Sequence, residues 1–196
     1  MTPTEPVYGL VLSGGQSRRM GRDKALLQYE GETQLGRAVR LLERHLERVY
    51  VSVRPDQVDD PERGRFKQVV DACSGIGPAA GILSALERHP GAAWLVLACD
   101  LPNTDDATIA TLLRQRSEQP FTAFRSSADG LPEPLCAVFR PEAREIVAGF
   151  VNDGIVCPRK MMIRSDTHLL ELPDPAALDN VNTPEDLERA GIRAAS

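Results

Sequence analysis

The sequence predicts a three-layer α/β/α fold around a mostly parallel sheet, and three observations carry that reading. Short apolar runs alternate along the chain with longer segments of helical spacing. The short runs are apolar at nearly every position, as in strands buried on both faces. Glycine- or proline-bearing loops separate the segments, and none reads as a repeat, a linker or low complexity. At 196 residues the chain has the length of one domain with a sizeable core, and a single domain over 1–196 is expected.

The elements follow in order. "VYGLVL" (7–12) reads as a strand closed by two glycines. "TQLGRAVRLLERHLERV" (33–49) brings Leu35, Val39, Leu42 and Leu46 to one helix face, with Thr33 as N-cap. "VYVSV" (49–53) and "QVVDA" (68–72) read as strands. "GPAAGILSALERH" (77–89) reads as a helix entered through a glycine loop, with Pro78 in its first turn. "AWLVLACD" (93–100) is an apolar strand ending on an acid. "TDDATIATLLRQRSEQ" (104–119) opens a helix with Thr104 as N-cap and acids in the first turn. "FTAFR" (121–125) and "PLCAVFR" (134–140) are strands around the loop 126–134. A helix over 141–151, a short strand near 168–172 and a helix over 183–191 complete a Rossmann-like order.

The formal charge of −5 argues against a nucleic-acid partner, since such binders are usually basic. No apolar run approaches the roughly 20 residues of a membrane span, so no membrane partner is expected. The first residues carry neither a basic nor an apolar leader region, and the cytoplasm is the expected compartment. The four cysteines form no CxxC pair, and free thiols are expected. His45 and His89 fall at helix C-terminal turns, where a cation suits the dipole, and His168 falls before a strand. No Ser/His/Asp or Cys/His set emerges.

Chemistry concentrates at three strand ends, where open α/β sheets bind ligands. Between 11 and 27, "VLSGGQSRRMGRDKALL" sets two glycines before Arg18, Arg19, Arg22 and Lys24, with Asp23 the only acid among them. Glycines let backbone N–H groups approach phosphate oxygens, and the cations neutralise charge on a leaving pyrophosphate. The alternative is a solvated basic turn. The loop is neither a Walker loop nor a dinucleotide fingerprint. Asp100 ends the apolar strand, and a lone carboxylate is how Mg²⁺ is often held beside substrate phosphates. Its alternative role, capping the next helix, is left to Thr104. "DACSGIGPAAG" (71–81) reads as a glycine loop over a nucleobase. If the attacking group is itself a phosphate anion, positioning and electrostatics can replace a general base.

"LSGGQSRRMGRDKALL" resembles the LAGGxSxRMGxDKxLL signature of the molybdenum cofactor guanylyltransferases (MobA type), within the nucleotidyltransferase superfamily. "DACSGIGPAAGILSAL" is similar to that family's D…GPLAGI segment, "WLVLACDLP" to its CDxP strand end, and "LDNVNTPEDL" to its NxNTPEDL block. The four blocks span 9–187 in the family's order. The resemblance implies the nucleotide-diphospho-sugar transferase-like variant of the fold. It implies transfer of GMP from GTP to the phosphate of molybdenum-bound molybdopterin, with release of pyrophosphate. Leu12, Ser13 and Gly14 would line the nucleotide, with Gly15 close by. Lys24 would contact the phosphates, helped by Arg18 and Arg19. Ser52 would sit where the family often has Asn, Asp71 would face the guanosine, and Asp100 would hold Mg²⁺. Asn180 and Asn182 would lie near the reacting phosphates or the pterin. For Asn182 an Asx turn before Thr183-Pro184 is the alternative. Arg159 and Lys160 would bind the pterin phosphate or face solvent. Proteins that mature molybdoenzymes are implied partners. Open alternatives are the cytidylyl relative, another small-acceptor nucleotidyltransferase, and a non-catalytic nucleotide-binding module. "LSGG" and "GPAAG" match the guanylyl pattern better than the cytidylyl one.

Overall fold

The structure is a computed structural model, and it describes residues 5–13, 23–29 and 31–179. Strands β1 (Val7–Leu12), β4 (Val49–Val53), β5 (Gln68–Val70) and β6 (Ala93–Ala98) form the parallel half of a seven-stranded sheet. Its other half holds β7 (Phe121–Arg125), β8 (Pro132–Phe139) and β9 (Thr167–Leu170). The order across the sheet is β5-β4-β1-β6-β8-β7-β9, and β8 alone runs against its neighbours β6 and β7. A separate two-stranded ribbon joins β2 (Gln28–Tyr29) to β3 (Glu32–Thr33).

Alternation along the strands builds the three layers. Val11, Val51, Leu95 and Leu97 pack with Leu35, Val39 and Leu42 of α1 (Gln34–Glu43) and with Ile109 and Leu112 of α3 (Asp106–Gln115). Their neighbours Leu10, Tyr50, Trp94 and Val96 point the other way. They meet Ile82 and Leu86 of α2 (Pro78–Arg88), Val147 of α4 (Ala143–Asn152), and Met161 and Met162 of α5 (Pro158–Ile163). Both faces of the central strands are covered, which explains their continuous apolar runs.

Two expectations are corrected, the cap of α3 and the place of His168. The cap of α3 is Asp105, whose carboxylate accepts from Thr108 N at 2.8 Å. Thr104 is instead buried, and its Oγ1 donates to the Ala177 carbonyl. Thr33 does cap α1, accepting from Gly36 N at 2.9 Å. His89 follows α2, as expected. Burial, with Arg88 and Arg48 nearby, holds its pKa below the usual imidazole range, and its ring packs against Tyr8 and Trp94. His168 lies within β9, paired with Thr122. The segment around "CPRKMM" is helix α5, and its two methionines fill the core beneath β8. All four cysteines are free, as expected. The predicted helix over 183–191 lies outside the described residues.

Candidate functional site

The chain leaves β1 toward β4 and β5 on one side, then returns to β6 on the other. Such a reversal opens a crevice at the carboxyl ends of the strands, where ligands bind. In register, Leu12 stands beside Ser52 of β4 and Ala98 of β6. Leu12, Ser13, Ser52, Asp71 and Asp100 therefore gather at one edge, on the ends of four neighbouring strands. Of the residues that the family resemblance gives to the nucleotide, the structure thus brings Leu12, Ser13, Ser52, Asp71 and Asp100 to one edge. Gly14, Gly15, Arg18, Arg19, Asn180 and Asn182 lie outside the described residues. Lys24 enters only through its backbone, which starts the 3-10 turn Lys24–Leu26.

Hydrogen bonds tie this edge together. Ser13 Oγ donates to the Ser52 carbonyl at 2.8 Å, and Ser52 Oγ donates to Asp71 Oδ1 at 2.8 Å. Asp71 N reaches the Val53 carbonyl at 2.8 Å, extending the β4–β5 ladder past its last paired residue. Burial pushes the Asp71 carboxyl above its usual range, with the Ser52 hydroxyl and the Arg54 charge opposing. Across the crevice, Cys99 N donates to the Leu12 carbonyl at 3.3 Å, and Asp100 follows in the turn after β6.

Helix α2 closes the other wall. Gly77 enters it at φ 61, a left-handed conformation that favours glycine, and Pro78 follows in the first turn. Gly81 faces Ser52 so closely that a Cβ there would stand 2.1 Å from Ser52 Oγ. Ser84 Oγ accepts from Ala72 N at 2.9 Å, holding the loop after β5 against the helix.

The sequence reading missed Arg63. It lies in the 3-10 turn Arg63–Arg65 and is 1% exposed. Its guanidinium donates from Nε to Ser13 Oγ at 3.2 Å, and from Nη2 to the Ser13 carbonyl at 2.9 Å and to Asp23 Oδ2 at 2.7 Å. No periodicity marks a buried arginine in a loop. Its signal was Asp23, one acid in a basic run. Arg159 is held by carboxylates, Asp129 Oδ2 at 3.0 Å and Glu133 Oε2 at 2.8 Å, and Lys160 is exposed. Among the described residues no group of three or more His, Cys, Asp or Glu side chains could hold a metal ion. A hollow of about 530 Å³ lies beyond α1, but its charges pair internally, Arg40 with Glu32 and Arg65 with Glu62.

An open α/β sheet with a glycine-bearing loop after β1 and acids after β5 and β6 has the layout of a nucleotide-handling protein. The MobA-like NTP transferase domain matches residues 9–168. The chain is 37% identical over 182 residues to a molybdenum cofactor biosynthesis bifunctional protein of Synechocystis, covering 92% of this chain and 52% of that protein. It thus spans about half the length of that relative. It is 35% identical to a probable molybdenum cofactor guanylyltransferase of Opitutus terrae, over 92% of this chain and 93% of that one. The fold matches molybdopterin-guanine dinucleotide biosynthesis protein A from Archaeoglobus fulgidus at a TM-score of 0.76 and 21% identity, over 93% and 96% of the two chains. The chain belongs to the MobA-like NTP transferase family and is a nucleotidyltransferase.

Proposed function

We propose that this protein transfers GMP from GTP to the phosphate of molybdenum-bound molybdopterin in molybdenum cofactor biosynthesis. The observation that carries the reading is the alignment of Ser13, Ser52, Asp71 and Asp100 on four adjacent strand ends, beside the loop whose motif the guanylyltransferases share. Support for guanine comes from the relatives' names, and the acid the reading gives to the base is Asp71, half-buried beside Ser52.

In the reaction an oxygen of the acceptor phosphate attacks the α-phosphorus of GTP. The bond from that phosphorus to the oxygen bridging to the β-phosphate breaks, and pyrophosphate departs with the electron pair. The attacking oxygen is already an anion, so no proton need be removed. Ser13 and its neighbours orient the nucleotide, and Asp71 takes N–H donors of the base. The reading gives Lys24, Arg18 and Arg19 the task of offsetting the charge that gathers on pyrophosphate. Mg²⁺ would neutralise phosphate charge when bound, and Asp100 would hold it. One partly exposed carboxylate fits an ion that keeps several waters and draws its other ligands from phosphates. Asn180 and Asn182 belong to the acceptor side. The cytoplasm, and proteins that mature molybdoenzymes, complete the proposal. No helix among the described residues is long and apolar enough to cross a membrane.

The test is kcat/KM for GTP and CTP at fixed molybdopterin acceptor, with pyrophosphate release as the readout. Guanine and cytosine present largely opposite donor and acceptor patterns, and each buried mismatch costs roughly 1–3 kcal/mol. Two mismatches give GTP an advantage of at least about tenfold. Equal values, or a preference for CTP, move the protein to the cytidylyl relative. Binding without pyrophosphate release makes it a non-catalytic module.

A further inference from the structure

The geometry points to Arg63 as a positioning residue that clamps the two ends of the signature loop and thereby sets where Lys24 meets the phosphates. The inference rests on the nucleotidyltransferase reading and adds to it a residue that touches no substrate.

The loop begins at Ser13 and ends at Asp23. One buried guanidinium reaches both, with bonds to Ser13 Oγ, the Ser13 carbonyl and Asp23 Oδ2. The other end of the clamp is anchored by Asp60. Its Oδ1 accepts from Arg63 N at 2.9 Å, and its Oδ2 lies 3.4 Å from Arg63 Nη1. The contacts continue in both directions. On one side Ser13 Oγ donates to the Ser52 carbonyl, and Ser52 Oγ donates to Asp71. On the other, Asp23 Oδ1 accepts from Ala25 N at 3.0 Å, and the Asp23 carbonyl accepts from Leu26 N at 3.1 Å. Asp23 thus caps the short turn on which the Lys24 backbone sits. A chain of bonds joins Asp71, on the base side, to the turn carrying the phosphate-side lysine, and Arg63 is its central link.

The planar fork of arginine can bridge three acceptors at fixed angles, whereas lysine is a point charge on a flexible stem. Buried at 1% exposure between Asp23 and Asp60, the guanidinium also has its charge balanced on both sides. A group so placed is too enclosed to bind nucleotide and well placed to hold the loop's ends at a set separation. Small misplacements of catalytic groups lower rates steeply.

The experiment is a double-mutant cycle between Arg63→Lys and Lys24→Ala, with amide exchange on the nucleotide-free protein. Arg63→Lys is expected to lower kcat about tenfold with little change in KM for GTP. On the Lys24→Ala background the same change should lower kcat by less than about twofold, because the group being positioned is gone. In the free protein, exchange at Ala25 and Leu26 should quicken at least about tenfold in Arg63→Lys while the β6 amides keep their rates. If Arg63→Lys does not fold, Arg63→Gln with Asp60→Asn removes one charge of each sign and is read the same way. An unchanged kcat, an equal loss on both backgrounds, or unchanged exchange at Ala25 and Leu26 overturns the inference. If the wild-type chain releases no pyrophosphate from GTP and acceptor, the nucleotidyl reading falls, and the exchange rates still decide whether Arg63 clamps the loop.

Discussion

At the residue scale the site holds an acid under tension. Burial raises the pKa of Asp71, so ionising it is harder in the folded chain than in the unfolded one. Its contribution to stability is therefore full below the unfolded carboxylate pKa of about 3.9 and is lost as pH rises through the folded value. Asp71→Asn, which keeps an acceptor for Ser52 Oγ, should raise the melting temperature at pH 7, and the gain should vanish below about pH 4. The same variant should bind GTP more weakly, which separates a working acid from a structural one. Asp100 is read by turnover. It lies in the turn after β6, outside the strand, so Asp100→Ala should abolish guanylyl transfer while its melting curve stays near that of the wild type. Near-normal turnover would remove Asp100 from the mechanism. Asp71 and Asp100 were legible in the sequence because each ends an apolar strand. Arg63 was not, because its burial depends on Ser13, Asp23 and Asp60 converging from separate parts of the chain.

At the element scale α2 packs tightly on β4 at Gly81. A methyl group at Gly81 would stand 2.1 Å from Ser52 Oγ and 2.8 Å from Ser52 Cβ. The Cβ contact cannot be relieved by turning a side chain, so the helix must move away from the strand. Gly81→Ala should cost about 1–3 kcal/mol of stability, the usual range for overpacking, measured by denaturant unfolding. It should also raise KM for GTP, because Ser52 carries both Ser13 and Asp71. A variant as stable as wild type would show that α2 has room to shift. The glycine was visible within "GPAAG", but its purpose was not, since periodicity says nothing about which strand a helix approaches. The cap of α3 teaches the same lesson. Thr104 and Asp105 are both good N-caps by chemistry. Asp105 takes the role because the buried Thr104 hydroxyl is already bonded to the Ala177 carbonyl, and the Thr104 carbonyl accepts from Arg37.

At the scale of the whole molecule, two core layers share the same strands. Val11, Leu95 and Leu97 serve one layer, while Leu10, Trp94 and Val96 serve the other. Neither layer can melt without exposing the strands of its partner. Unfolding followed by the fluorescence of buried Trp94 and by far-ultraviolet circular dichroism should therefore give one coincident transition. Two separated transitions would divide the chain into independent units. The sequence alone determined the alternation of strands and helices, the loop after the first strand and the acids at strand ends. These are local signals, written in hydrophobic period, glycine and charge within a few residues. Only the tertiary structure decided that β8 runs antiparallel, that α5 covers the sheet with Met161 and Met162, and that Arg63 locks Ser13 to Asp23. Strand direction and the partners of a buried charge depend on which distant segments meet, and that choice is made by burying apolar faces and pairing buried polar groups across the whole chain.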